Sequence, residues 1–147
     1  MNYVIVAMKA IFSNDFQLDS EFVTYVKDGW EAVREVERSL QDAKKDDYRP
    51  YSLLILDYNM PYMDGLTVVE QVSLICLKEG KLYPPFFLMQ TSNQETAFRE
   101  KCIRNRVDFF VEKPCKVENL AKVLLQLEII REKKRYAQGL TIPSNNS

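Results

Sequence analysis

Hydrophobic positions along the chain fall into two alternating kinds of segment. Tyr51-Ser-Leu-Leu-Ile-Leu-Asp57 is a short, nearly continuous apolar run ending in an acid and then a Pro/Gly turn, Asn59-Met-Pro-Tyr-Met-Asp-Gly65. Apolar residues at successive positions over so short a run predict a strand buried on both faces. Leu66, Val69, Val72 and Cys76 then recur at three- and four-residue steps, which predicts a helix. Gly80 suits the left-handed position that ends it. Pro84-Pro85 precede a second buried strand, Phe86 to Thr91, and Ser92-Asn-Gln-Glu95 has the form of a capping box opening the next helix. That helix, Thr96 to Arg106, carries Ala97, Phe98, Cys102 and Ile103 on its stripe. Val107 to Glu112 is a third strand, broken by Lys113-Pro114, and Val117, Leu120, Leu124, Leu127 and Ile130 or Arg131 trace a long amphipathic helix. Upstream, Phe22 to Lys27 reads as a strand and Asp28-Gly29 as a turn. Trp30, Val33, Val36 and Leu40 form the inner face of a helix, and Asp42 to Pro50 is a polar connection.

Strands alternating with helices at this spacing predict an α/β fold, a doubly wound parallel sheet with Leu54, Ile55, Leu56, Phe87, Leu88 and Val111 inside it. With 147 residues, 46% of them hydrophobic, one core is the natural expectation: a single domain over 1–136 and a flexible tail over 137–147. The charges, 20 Lys+Arg against 21 Asp+Glu, nearly cancel, so nothing draws the chain to nucleic acid or to an anionic membrane. Arg131, Lys133, Lys134 and Arg135 cluster late in the last helix, where its dipole favours cations, and this explains them better than nucleic-acid binding does. Histidine is absent. This excludes imidazole-based triads, HExxH zinc sites, Cys/His fingers and any phosphohistidine carried by this chain. Cys76, Cys102 and Cys115 form no CxxC pair, and no signal peptide pattern opens the chain, so a reducing, cytoplasmic location is expected. The longest apolar runs fall far short of the roughly 20 residues that span a bilayer, so this segment is expected to be soluble and to make no membrane contact.

Three polar residues stand at successive strand ends: Asp57, Thr91 and Lys113. Parallel strands place those ends on one edge, so a carboxylate, a hydroxyl and an ammonium converge there. Such a pocket suits acceptance of a phosphoryl group, with Asp57 as nucleophile, Lys113 neutralising one phosphoryl oxygen and Thr91 donating to another. A haloacid-dehalogenase-like phosphatase would need a second acid two residues after Asp57, where this chain has Asn59.

The motifs Leu54-Ile-Leu-Asp-Tyr-Asn-Met-Pro-Tyr-Met-Asp-Gly65, Gln90-Thr-Ser-Asn93, Phe110-Val-Glu-Lys-Pro114 and Asp28-Gly-Trp-Glu-Ala32 resemble the response-regulator receiver domain of two-component and phosphorelay signalling. The 22-residue step from Thr91 to Lys113 agrees with that family, and the likeness spans roughly residues 2 to 130. The resemblance implies a flavodoxin-like fold. It makes Asp57 the phosphoacceptor, Thr91 the switch hydroxyl and Lys113 the family lysine, joined to Pro114 by a cis peptide. It also makes Phe110 the switch aromatic and implies Mg²⁺ at Asp57 and the backbone carbonyl of Asn59. The implied partners are a histidine kinase or histidine phosphotransfer domain upstream and a protein docking on the Phe110 face downstream. The chain would stand alone or within a larger membrane-bound hybrid kinase. At most it would catalyse its own phosphorylation from phosphohistidine, and it would not be an independent kinase or phosphatase.

The family also carries an adjacent pair of acids just after its first strand, and these hold the metal. That acid pair is not found here. The first acid, Asp15, lies 13 residues before Asp28, too close for a helix and a strand between them. Two readings compete for residues 1–13. In the favoured one, Asn2 to Phe12 is a helix and the first, central strand is missing or altered, which would leave an unstable or sticky sheet. In the other, Tyr3 to Ala7 is that strand, as Val4, Ile5 and Val6 suggest, with Met8 or Lys9 where acids belong. The lost acid pair also supports a rival function, a receiver-like interaction module that is never phosphorylated.

Overall fold

The computed structural model describes residues 3–6, 23–42, 51–80 and 84–137. The chain forms two compact units, Met1–Pro114 and Cys115–Ser147. In the first, five strands make one parallel sheet: β1 (Tyr3–Val6), β2 (Val23–Val26), β3 (Leu53–Asp57), β4 (Phe86–Thr91) and β5 (Phe109–Glu112), in the order β2-β1-β3-β4-β5. This is the flavodoxin-like order, whose chain reversal beside β1 and β3 opens a crevice at the carboxyl ends of the strands. Among the described residues of the same unit are three helices: α1 (Gly29–Asp42), α2 (Gly65–Lys78) and α3 (Thr96–Arg104).

β1 corrects the favoured reading of the N-terminus. Tyr3–Val6 is not helical. It is a strand paired with β2 on one side and β3 on the other, with Ile5 opposite both Tyr25 and Ile55. Three consecutive β-branched residues lose side-chain freedom in a helix and fit a pleated surface, and the central slot supplies backbone partners on both sides. The rest of the segment to Phe12, the polar connection of residues 43–50 and the tail beyond Ala137 lie outside the described residues.

The sheet is filled as its apolar runs predict. Leu53, Leu54, Ile55, Leu56 and Leu88 are fully buried, and Phe87 and Val111 nearly so. Alternation places Leu54, Leu56, Phe87 and Met89 in one core cluster with Ala32, Val33 and Val36 of α1, Val68, Val69 and Val72 of α2, and Cys102 of α3. Two helix faces differ from expectation. Trp30 is 53% exposed while Ala32 is fully buried, because the inner stripe of α1 runs through Gly29, Ala32, Val33, Val36 and Leu40 and Trp30 lies off it. On α3, Ala97 and Ile103 face solvent, leaving Phe98 and Cys102 as the inner stripe.

The ends of these helices follow local chemistry. Asp28 Oδ1 accepts the Glu31 amide at 2.9 Å while Glu31 reaches back to the Lys27 amide, so α1 starts on a reciprocal cap. Gly80 has φ +69° just past α2, as expected of a helix-ending glycine. The expected Ser92 capping box does not form. Glu95 precedes α3 without a side-chain cap, and Asn93 Oδ1 accepts the Glu95 amide instead. In the second unit α4 (Val117–Ala137) runs past the predicted end, with Leu120, Val123 and Leu127 as its buried stripe and the cluster from Arg131 to Arg135 within its length.

Candidate functional site

Asp57 is the last residue of β3, and the turn after it fixes its surroundings. Tyr58 donates its amide to the Gln90 carbonyl at 3.1 Å, and Gly65 donates to the Tyr58 carbonyl at 3.0 Å, so the loop folds back onto the strand end. Within the loop, Met63 donates to the Pro61 carbonyl around Tyr62, whose φ of 68° is the left-handed backbone a tight turn demands. Asp64 then caps α2 by accepting the Thr67 amide at 2.8 Å. Gly65 must be glycine for packing: a Cβ there would lie 2.6 Å from Met89 Sδ and 2.9 Å from the Asp57 carbonyl oxygen.

The Lys113 ammonium lies 2.6 Å from both Asp57 carboxylate oxygens, and Asp57 Oδ1 also accepts the Asn59 amide at 2.9 Å. The side chains are 15% exposed for Asp57 and 30% for Lys113, so this is a partly desolvated pair with one open side. Thr91 ends β4 at the same edge and is buried. Its hydroxyl oxygen accepts the Asn93 amide at 3.0 Å, which leaves the hydroxyl hydrogen as a donor. Its carbonyl accepts the Lys113 amide at 3.1 Å, which anchors the backbone that carries the lysine. The Lys113–Pro114 peptide is cis.

Phe110 is half-buried on β5 opposite Met89, and the Arg99 guanidinium of α3 stacks over its ring at 5.2 Å. Nearby, Tyr58 meets Phe98 of α3 edge-on at 4.8 Å, so the loop after Asp57 touches the same helix. The sequence pattern gives no sign of Arg99. A cation on an exposed helix acquires meaning only when the strand order brings an aromatic ring beneath it.

Burial pushes the Cys102 thiol up, with Lys101 pulling weakly the other way, and burial pushes Cys115 up as well, so neither favours a thiolate.

Among the described residues, the donors around Asp57 do not fit a bound Mg²⁺. This ion keeps octahedral oxygen coordination and is normally held by one or two carboxylates with phosphate oxygens. Here Asp57 gives both oxygens to an ammonium, and among the described residues no group of three or more His, Cys, Asp or Glu side chains could hold a metal. Asn59 contributes its amide N–H to the carboxylate.

Among the described residues no helix is long and apolar enough to cross a membrane. Several curated relatives share part of the chain. The peroxide stress-activated histidine kinase mak3 of Schizosaccharomyces pombe is 34% identical over 101 residues, which is 65% of this chain and 4% of that protein. The transcriptional regulatory protein TctD of Salmonella typhimurium is 37% identical over 70 residues, 48% of this chain and 29% of that protein. This chain thus spans a minor part of either. Among solved structures, the receiver domain of the Saccharomyces cerevisiae response regulator Ssk1, crystallised with the histidine phosphotransfer protein Ypd1, superposes with a TM-score of 0.73. That alignment covers 89% of this chain and 90% of that one at 16% identity, a likeness of fold. Residues 14–125 match the response regulator receiver domain, a span that starts downstream of β1 and takes in Asp57, Thr91 and Lys113, and the chain belongs to that family.

Proposed function

We propose that this receiver domain takes a phosphoryl group onto Asp57 from a phosphohistidine on a partner and so switches a protein-docking face. The observation that carries the reading is the Lys113 ammonium at 2.6 Å from both oxygens of a carboxylate standing at the strand edge. In the transfer, an Asp57 oxygen forms a bond to phosphorus as the N–P bond of the donor breaks, and the released imidazole nitrogen takes up a proton. Lys113 neutralises one phosphoryl oxygen, and the Thr91 O–H donates to another. Catalysis here is positioning and charge, so the chain is neither an independent kinase nor a phosphatase.

With no histidine in this chain, the donor is a histidine kinase or a histidine phosphotransfer domain. Ssk1's pairing with a phosphotransfer protein and mak3's being a histidine kinase support that choice. Phosphorylated and free Asp57 differ in what they offer Thr91 and Lys113, which biases the β4–β5 edge between two arrangements. Phe110, with Arg99 over its ring, is the output side of that edge and the face for a downstream protein. The chain acts in the cytoplasm, alone or as part of a hybrid kinase.

The test is acyl-phosphate labelling by a phosphorylated histidine phosphotransfer protein, with Asp57→Asn beside the native chain and ATP alone as a second control. Label should appear on the native chain only, and only from the phosphohistidine donor. The rival reading, an interaction module that is never phosphorylated, draws on the absence of carboxylates directly after β1; it predicts no label under any condition.

A further inference from the structure

We propose that the Asp57 pocket takes no divalent cation, and that Lys113 is the counter-charge with which this domain works. β1 fills the central slot of the sheet, and Ile5 pairs with Ile55, two residues before Asp57, so the carboxyl end of β1 reaches the edge where Asp57 stands. That end is Val6, and the sequence after it is Ala7-Met8-Lys9, with no carboxylate before Asp15. The sequence that follows β1 therefore carries an uncharged pair and a lysine where family resemblance places acids.

Charge makes the consequence definite. Asp57 and Lys113 sum to zero, and both carboxylate oxygens already receive the ammonium at 2.6 Å. A dication entering this pocket would displace the ammonium or sit beside a like charge, and among the described residues it would gain a single carboxylate in return. Mg²⁺ sheds water reluctantly and needs near-octahedral oxygen coordination, so that exchange is unfavourable. Among the described residues no acidic cluster offers a substitute. Lys113, 30% exposed on its side chain, can stay against one oxygen while the other faces the open side.

The consequence for transfer rests on the phosphoacceptor reading of Asp57: phosphoryl acceptance, where it occurs, is indifferent to chelators. The direct test needs no donor. The full chain, labelled with ¹⁵N, is titrated with Mn²⁺ and the amide signals of Tyr58 and Asn59 are followed for paramagnetic broadening, with Mg²⁺ as competitor. The native chain should show no saturable, Mg²⁺-competed broadening at millimolar metal. A chain carrying Met8→Asp and Lys9→Asp should gain it, with a midpoint at least about ten-fold lower, since even outer-shell partners of a metal are worth that much. Saturable broadening in the native chain overturns the proposal, as does a folded double variant that binds no better; if that variant fails to fold, the native titration decides. Labelling from a phosphohistidine donor in EDTA and in Mg²⁺ separates the two ideas. Equal labelling supports the proposal, and labelling only with Mg²⁺ overturns it while leaving Asp57 as acceptor. No labelling in either overturns the acceptor reading, and the metal titration still settles this one.

Discussion

A lysine 2.6 Å from both oxygens of one carboxylate neutralises a partly buried charge. On the proposed phosphoacceptor reading of Asp57, the same ammonium would follow the negative charge onto the phosphoryl oxygens during transfer. Lys113→Ala should therefore slow labelling from phosphohistidine by about a hundred-fold, the scale of losing one preorganised donor at a developing charge. Comparing initial labelling rates of native and variant chains checks this, and equal rates would show that the ammonium is a bystander. Asp57, Thr91 and Lys113 were legible because each interrupts or ends an apolar run at a strand end, where no packing reason calls for a polar residue. Two details were not. The Thr91 oxygen engages the Asn93 amide, and Arg99 covers Phe110, because both depend on how the β4–α3 turn folds and on β4 lying beside β5. Neither the turn nor the strand neighbourhood has a one-dimensional signature.

At the scale of elements, α1 is tied to the sheet by polar as well as apolar contacts. Tyr51, just before β3, gives its hydroxyl proton to Glu35 of α1 at 2.6 Å and lies 2.6 Å from the Thr24 hydroxyl of β2; with one proton already committed, Thr24 is the donor in that second contact. Burial pushes the Glu35 carboxyl up, but the hydrogen bonds from Arg38 and Tyr51 and the Arg38 charge outweigh it, and the carboxyl sits below its ordinary value of 4.5. A group whose folded value is lowered adds stability above its unfolded value, and that stability is lost as pH falls through the folded one. Tyr51→Phe should cost about 1 kcal/mol at neutral pH and shrink the acid-side loss, since Glu35 then gives up less on protonation. Urea denaturation of both chains at neutral pH and again below pH 4.5 reads the difference, which should narrow at the lower pH. The strands β2 to β5 and the four helices among the described residues were legible from periodicity. The errors came where periodicity is silent or short. Four residues of β1 admit either a helical or an extended reading, and only pairing on both sides decides. Trp30 looks like core by type, yet at the first turn of α1 it points outward. Ser92 has the spacing of a cap, but Thr91 and Asn93 take up the backbone donors of that turn.

For the parallel sheet as a whole, the consequence of β1 is larger than its length. Among the described residues β2 pairs only with β1, and β1 joins β2 to β3. β1 therefore holds one edge of the sheet to the rest, although the family match itself starts at residue 14. Removing residues 1–7 would expose the edge of β3, strip β2 of its ladder and leave its backbone donors and acceptors to water or to another chain. Net stabilities of single domains are about 5–15 kcal/mol, and a cut through the middle of a sheet removes contacts on both sides of it. The shortened chain should lose its cooperative urea transition and elute as larger species in size-exclusion chromatography, whereas Met8→Asp with Lys9→Asp, which leaves Tyr3–Val6 untouched, should keep it. A shortened chain with a native-like transition would mean that another segment pairs with β3 in place of β1. The edge beside Asp57 would then be built differently, and the case for a cation-free pocket, which depends on β1 lying beside β3 and on a sequence without acids directly after it, would fall with it.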